Sequence, residues 1–472
     1  MIDQELCFAS ATELRQKIGA KEVSIVELTE LFYERIQKFN PILNAYLALC
    51  PEQAIAEAKL AQEKIQKGEP VGQLHGIPIS IKDLEVTKGI ISTLGSAVFR
   101  DRVPDIDSVV VERVRQAGAI VLGKTNTPEF GQSGTTENKL GDACRNPWDP
   151  ERTAGGSSGG AAAALAAGLC TLATGSDGGG SIRIPASFSG VFGIKPSQGR
   201  VPRYGGYGRP ASNQLSQSGP MSRTVDDTAL LLQVLSGSDL RDPTSVREAP
   251  ADYTQSLNGG VKGWRIAWSS DFGYAGVDPE VLQVTEQAAR VFEELGASVE
   301  EANLILEDPF PAFLDIFATG AYAAYGHLLE QHRDDLTHYV SSSLERAATL
   351  TAADFSRALL RVDQLRRQME IFFDHYDLLL SPTMPVTAFP IGQCPSVIGG
   401  KEVDPFWGYV PFTFPINMTG QTASSVPCGF SSENMPIGLH IVGPRGSEAR
   451  VLQASAAFES ARPWVQHHPP VS

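Results

Sequence analysis

Two serines stand between paired glycines in TAGGSSGGAAAALAAG (153–168), and a third follows three glycines in SDGGGSIRIPAS (176–187). Glycines at such places let the backbone turn tightly and let a substrate or another side chain come close. The successive N–H groups of Gly178, Gly179, Gly180 and Ser181 can converge on one point, which is how an oxyanion is held without side chains. A serine nucleophile also needs a base. Lys82 lies inside the apolar run PISIKD (78–83), where an ordinary solvated lysine has no reason to be. Burial, or cationic charge nearby, lowers a lysine's pKa and lets it accept a proton. Serine-based acyl transfer, with lysine in the usual place of histidine, is the chemistry these residues suit.

Other readings of the same residues are weaker. GGSSG satisfies G-x-S-x-G with either Ser157 or Ser158 at its centre, but that elbow follows a strand, and RNPWDPERTA (145–154) is rich in proline and charge. No lysine follows the second glycine pair, so the loop is not a P-loop. A flexible linker would not run straight into an alanine-rich helix. No histidine lies inside these motifs; His75 and His440 are the nearest alternative bases, each more simply a structural histidine.

Taken together, GIPISIKD, GKTNTPEFG, NPWDPERTAGGSSGG and SDGGGSIRIPASFSGVFGIKPS resemble the amidase signature family. The resemblance extends through LLLSPTMPV, PFTFPINMTGQTASSVPCGF and PIGLHIVGP. It implies an α/β fold with a mixed central sheet flanked by helices, and cleavage of amide-type C–N bonds by a Ser-cisSer-Lys triad. Matched position by position, Ser181 would be the nucleophile, Ser157 the bridging serine after a cis Gly156–Ser157 bond, and Lys82 the base. The spacing of the three along the chain is similar to that in the family and favours Ser157 over Ser158. Asp177 and Arg183 would brace the nucleophile's loop, and Gly131, Gln132 and Ser133 would line the substrate site. Ala154 departs from the proline common before the double glycine without removing a catalytic group. Within the family, the C-terminal half looks more like free-standing bacterial amidases than like the glutamine-hydrolysing A subunit of a tRNA-dependent amidotransferase. A noncatalytic binding subunit on the same fold would not need all three positions filled. Phe130–Ser133, the segment around Phe313–Tyr325 and FWGYVPFTF (406–414) suggest apolar or aryl groups in amides, anilides, carbamates or esters.

The elements that must position these residues alternate. Residues 1–70 read as helices, with Ser24 and Glu27 forming a capping box. Strands are predicted at 78–83, 119–124 and 171–177, separated by helices at 108–118 and 159–169, which implies βαβ units and a largely parallel sheet. A helix at 224–237 precedes a further strand-helix-strand unit, residues 310–375 read as almost wholly helical, and 377–382 and 436–444 return as strands. Ser447 opens a last helix through Ala461. One domain over 1–472 is expected: a helical N-terminal part (1–70), a catalytic core (76–237), a helical cover (305–375) and a C-terminal part of the same core (376–472).

Composition sets the outer limits. With 42% hydrophobic and 20% charged residues in 472, the chain can bury a large core. A formal charge of −15 gives no footprint for nucleic acid or anionic lipid, so a small amide-type substrate is the expected partner, on a monomer or homodimer. Six scattered cysteines form no CxxC pair, so neither a metal cluster nor a disulfide framework is indicated, and no cofactor is called for. The N-terminus carries no basic-then-apolar leader and no run of about 18 apolar residues occurs, so a soluble, cytoplasmic protein is expected.

Overall fold

The computed structural model describes residues 4–205, 214–302 and 304–472. Its thirteen strands, in chain order, are β1 (Tyr46–Leu49), β2 (Pro78–Lys82), β3 (Ile120–Thr125), β4 (Leu172–Asp177), β5 (Phe192–Lys195), β6 (Gln217–Ser222), β7 (Arg265–Trp268), β8 (Ser298–Glu301), β9 (Leu378–Pro382), β10 (Val397–Ile398), β11 (Lys401–Glu402), β12 (Thr422–Phe430) and β13 (Pro436–Gly443). β10 and β11 form a small hairpin; the other eleven make one mixed sheet in the order β1-β3-β2-β4-β6-β5-β12-β13-β9-β7-β8.

β2 (PISIK) and β4 (LATGSD) are short, and both are buried throughout, as inner strands covered on both faces must be. β2 runs parallel to both β3 and β4, so Lys82 at the end of β2 and Asp177 at the end of β4 come to the same rim of the sheet. The helix Gly159–Ala166 is buried on every side, and its small side chains let it lie close to β2, β3 and β4. An added Cβ at Gly160 would lie 2.3 Å from Asn126 N and 2.4 Å from Ala45 O. That close seat brings Ser157 and Ser158, just before the helix, to the same rim.

The expectation of a largely parallel sheet is corrected. From β4 through β6, β5, β12 and β13 to β9 every pairing is antiparallel. β6 and β12 are not legible as strands in the sequence, because QSGPMS and TASSVPCGF carry too much Ser, Gly and Pro to announce strands locally, and β5 (FGIK) is too short to stand out. β1 likewise interrupts the N-terminal stretch predicted to be helical, pairing antiparallel to β3. At Ser24 only half of the capping box forms, the Ser24 side chain accepting from Glu27 N. The helix at Glu448–Ala461 is where predicted, but Ser447 Oγ donates back to Pro444 O and caps nothing.

The predicted helical cover consists of Phe310–Tyr325, Leu328–Gln331, His338–Thr349 and Ala352–Phe373. A hydrophobic cluster of Leu84, Leu94, Phe130, Ala321, Leu328, Leu336, Val340 and Leu344 docks it beside the end of β2. The Phe130 and Tyr325 rings stack with centroids 3.9 Å apart. Among the described residues no helix is long and apolar enough to cross a membrane.

Candidate active site

Lys82 is wholly buried, and its backbone N–H donates to Thr174 Oγ1 on β4 at 3.0 Å. Its Nζ lies 2.8 Å from Ser157 Oγ, 2.8 Å from Ser158 Oγ, 3.0 Å from Ser176 Oγ and 3.2 Å from Ser176 O. All of these neighbours are uncharged, and burial pushes the lysine down to about 7 while Asp177 and Glu85 pull it back up. The expected cationic neighbour is therefore not the cause; the charges acting on Lys82 are anionic, and desolvation outweighs them.

The two serines of GGSSGG differ in their surroundings. Ser158 Oγ donates to Ser176 O and accepts from Ser176 N, each at 3.3 Å, so its proton is already placed. Ser157 Oγ has Lys82 as its one hydrogen-bond partner among the described residues. The Gly156–Ser157 peptide bond is cis. The Ser158 N–H donates to Ser181 O at 3.0 Å, tying the two glycine-rich loops together.

Around Ser181 the backbone is organised by Asp177. Its Oδ1 accepts from Gly180 N at 2.8 Å, and its Oδ2 accepts from Ile182 N at 3.2 Å and Arg183 N at 3.4 Å. Gly180, expected among the amides facing an oxyanion, thus spends its N–H on Asp177. The amides of Gly178, Gly179 and Ser181 find no acceptor among the described residues. Gly180 has φ +133°, and a Cβ there would lie 2.4 Å from Thr413 Oγ1, so this turn admits no side chain. Burial pushes the Asp177 carboxyl up, but the Arg183 guanidinium, Lys195 and the Asn417 amide outweigh it and hold Asp177 well below the ordinary carboxylate range. Arg183 meets it with two bonds, Nε to Oδ2 at 2.9 Å and Nη2 to Oδ1 at 3.0 Å.

On the other side, a Cβ at Gly131 would sit 3.3 Å from Ser157 Oγ, which puts this loop in contact with the serine. Gln132 is buried, and neither its Oε1 nor its Nε2 has a hydrogen-bond partner among the described residues. Ser133 Oγ lies 3.0 Å from Thr135 Oγ1. The loop is held by Glu129, which accepts from Ser96 Oγ at 2.5 Å and from Thr337 N and Oγ1 at 2.6 and 2.7 Å.

Neither alternative base joins this array. His75 Nε2 lies 3.0 Å from Ala61 O under the N-terminal helices, and His440 bonds to Arg183 and Ser381. Sequence reading missed Ser158 and Ser176 as partners of Lys82, Thr413 and Asn417 as partners of Arg183, and Glu129 as the tie to the cover. None of these carried a local signal; Glu129, for one, stands among polar residues in KTNTPEFGQS.

A family model described as Amidase matches residues 27–452. The chain belongs to the amidase family. This amidase is an amide C–N hydrolase with the amidase signature fold, and its relatives bear that out along its whole length. An acylamidase of Rhodococcus erythropolis is 39% identical over 476 residues, spanning 99% of this chain and 98% of that one. The A subunit of the glutamyl-tRNA(Gln) amidotransferase of Cyanothece sp. is 38% identical over 488 residues, spanning 98% and 99%. A solved bacterial aryl acylamidase of the amidase signature enzymes superimposes on the amidase with a TM-score of 0.92 at 35% identity, covering 97% of each chain.

Proposed function

We propose that this amidase works by a Ser-cisSer-Lys relay in which Ser181 is the nucleophile, Ser157 the bridging serine and Lys82 the base. The observation that carries the proposal is the buried Lys82, lowered to about 7 and 2.8 Å from Ser157 Oγ. A neutral lysine offers two N–H groups and one lone pair. Ser176 O must take an N–H, and Ser158 Oγ, whose own proton is placed, can only accept another. The lone pair is then open to the Ser157 O–H at 2.8 Å, with the Ser176 hydroxyl at 3.0 Å as its competitor.

Ser181 Oγ attacks the amide carbon, its proton passes to Ser157 Oγ, and the Ser157 proton passes to Lys82 Nζ. The negative oxygen that forms is met by the N–H groups of Gly178, Gly179 and Ser181. As the C–N bond breaks, Lys82 returns its proton through Ser157 to the departing nitrogen. Water then attacks the acyl-Ser181 ester by the same relay, releasing the acid and restoring the serine.

The substrate this site suits has an apolar acyl group and a bulky or aryl amine. Cβ positions at Gly178 and Gly179 would lie 3.4 Å from the Phe317 ring and 2.8 Å from the Phe313 ring, and both rings pack edge-on against Trp407. An aromatic wall thus stands over the glycine turn, where a free glutamine would instead need partners for its ammonium and carboxylate. That favours a free-standing amidase over a glutamine-hydrolysing subunit. For the amine, a cavity of about 490 Å³ is lined by Ser133, Thr135, Glu137, Tyr339, Cys394 and Phe406. Thr135 links it to the serine loop, since Gly156, next to Ser157, packs on the Thr135 backbone.

Ser181→Ala should abolish both turnover of a chromogenic anilide and labelling by a fluorophosphonate. A variant that still gains the covalent adduct would assign the nucleophile elsewhere. Phe406→Ala should raise KM for anilides while leaving it unchanged for the matching primary amide; equal effects on both would remove the cavity from the amine's path.

A further inference from the structure

We propose that His440 is a positioning residue for the nucleophile, acting through Arg183 and Asp177; the inference rests on Ser181 being that nucleophile. Arg183 is wholly buried, so each of its N–H groups needs an acceptor. Nε and Nη2 are served by Asp177, Thr413 O at 3.0 Å and Asn417 Oδ1 at 2.6 Å. Nη1 has one acceptor among the described residues, His440 Nε2 at 3.0 Å.

Because a guanidinium can only donate, Nε2 must be the unprotonated nitrogen of this ring. The proton of the neutral imidazole then sits on Nδ1, 3.4 Å from Ser381 Oγ, which in turn donates to Pro382 O at 3.0 Å. The chain of bonds has one direction throughout, from Arg183 to His440 to Ser381 to the β9 backbone, and β13 sets it by pairing His440 with Ser381. A second proton on the ring would place two donors face to face. Burial pushes the histidine well below its ordinary value, with Arg183 and Lys195 adding to it and Asp177 opposing, so the ring remains a neutral acceptor across the working range.

The consequence reaches Ser181 through the carboxylate. Asp177 can gather the amides of Gly180, Ile182 and Arg183 only while the guanidinium holds both of its oxygens. Without the histidine, Nη1 would lose its acceptor, and the guanidinium would turn toward others at the expense of Asp177. The glycine turn around Ser181 would then lose its set geometry, while the amine cavity, which shares no lining residue with this network, would be untouched.

The test compares His440→Leu, which removes the acceptor at similar volume, with His440→Gln, whose Oε1 reaches the place of Nε2. With a chromogenic anilide, His440→Leu should lower kcat at least tenfold with KM within twofold, and slow fluorophosphonate labelling in parallel. His440→Gln should recover kcat to within about threefold of the parent. If His440→Leu does not fold, His440→Asn replaces it, since its shorter amide reaches Ser381 but not Arg183, and the same loss is expected. Equal activity of the Leu (or Asn) and Gln variants, whether both high or both low, or a change confined to KM, would overturn the inference. Failure of the nucleophile assignment reads out separately, as turnover surviving in Ser181→Ala.

Discussion

A lysine that serves as the base must be neutral, and the burial of Lys82 sets where on the pH scale that happens. Lowering it from 10.5 to about 7 raises the neutral fraction at pH 7 from about 0.03% to about half, a gain of roughly a thousandfold, equivalent to about 5 kcal/mol against the ammonium. With an anilide, whose amide does not titrate in this range, kcat/KM should therefore rise along one limb centred near pH 7 and level off by about pH 8. Asp177 and Glu85 both favour the charged lysine. Removing one of these charges with Glu85→Gln should move the limb toward lower pH. Glu85 is buried and receives the Ser218 hydroxyl at 2.7 Å, a bond that glutamine can keep. The same burial makes Lys82 a stability cost. Its folded pKa is depressed, so the cost is full below about pH 7 and vanishes as pH rises toward 10.5, where the unfolded lysine also loses its proton. Lys82→Met should abolish the activity and raise Tm at pH 7, with the Tm gain shrinking toward pH 10. A limb centred near pH 10, a limb unmoved or shifted upward in Glu85→Gln, or a Lys82→Met profile matching the parent would refute the reasoning.

Other expectations follow from the same geometry. Ser157→Ala should cost kcat on the order of a thousandfold, as loss of a proton relay does, whereas Ser158→Ala removes one hydrogen bond to Lys82 and should cost about tenfold or less; equal losses would undo the distinction between them. Gly131→Ala places a β-carbon 2.8 Å from Leu84 Cδ1 at φ +71°, and should lower Tm by the equivalent of about 1–2 kcal/mol along with kcat; unchanged kinetics would free this loop from contact with Ser157. Asp177→Asn leaves the Arg183 guanidinium without its charge partner and should cost about 3–5 kcal/mol in chemical denaturation, a loss that an exposed pair would not produce. A chelator should leave kcat unchanged, since no step of the relay uses a metal; metal-dependent recovery after dialysis would contradict it.

What the sequence determined by itself was local. A lysine inside PISIK, serines beside glycine runs, and an alanine-rich stretch too apolar for any surface are each visible within a dozen residues. Side-chain type and backbone permission at those places depend on immediate neighbours, so both loops and the helices around them could be read directly. The tertiary structure decided how the parts meet. β6 and β12 have weak strand preference and β5 is only four residues long; they form because neighbouring strands offer a ladder, which turns the sheet's centre antiparallel. Ser157 and Ser158 look alike in GGSSGG, and the structure separates them through Ser176, which reaches Ser158 from the end of β4, and through the Gly131 loop, which faces Ser157. Asp177 and Arg183 sit six residues apart, but Asn417 and His440, which complete their bonding, lie more than 230 residues on. Such contacts leave no periodicity or spacing in the chain, because a hydrogen bond depends on distance in space, and only the folded sheet brings β13 and the segment before β12 against the turn that carries Ser181.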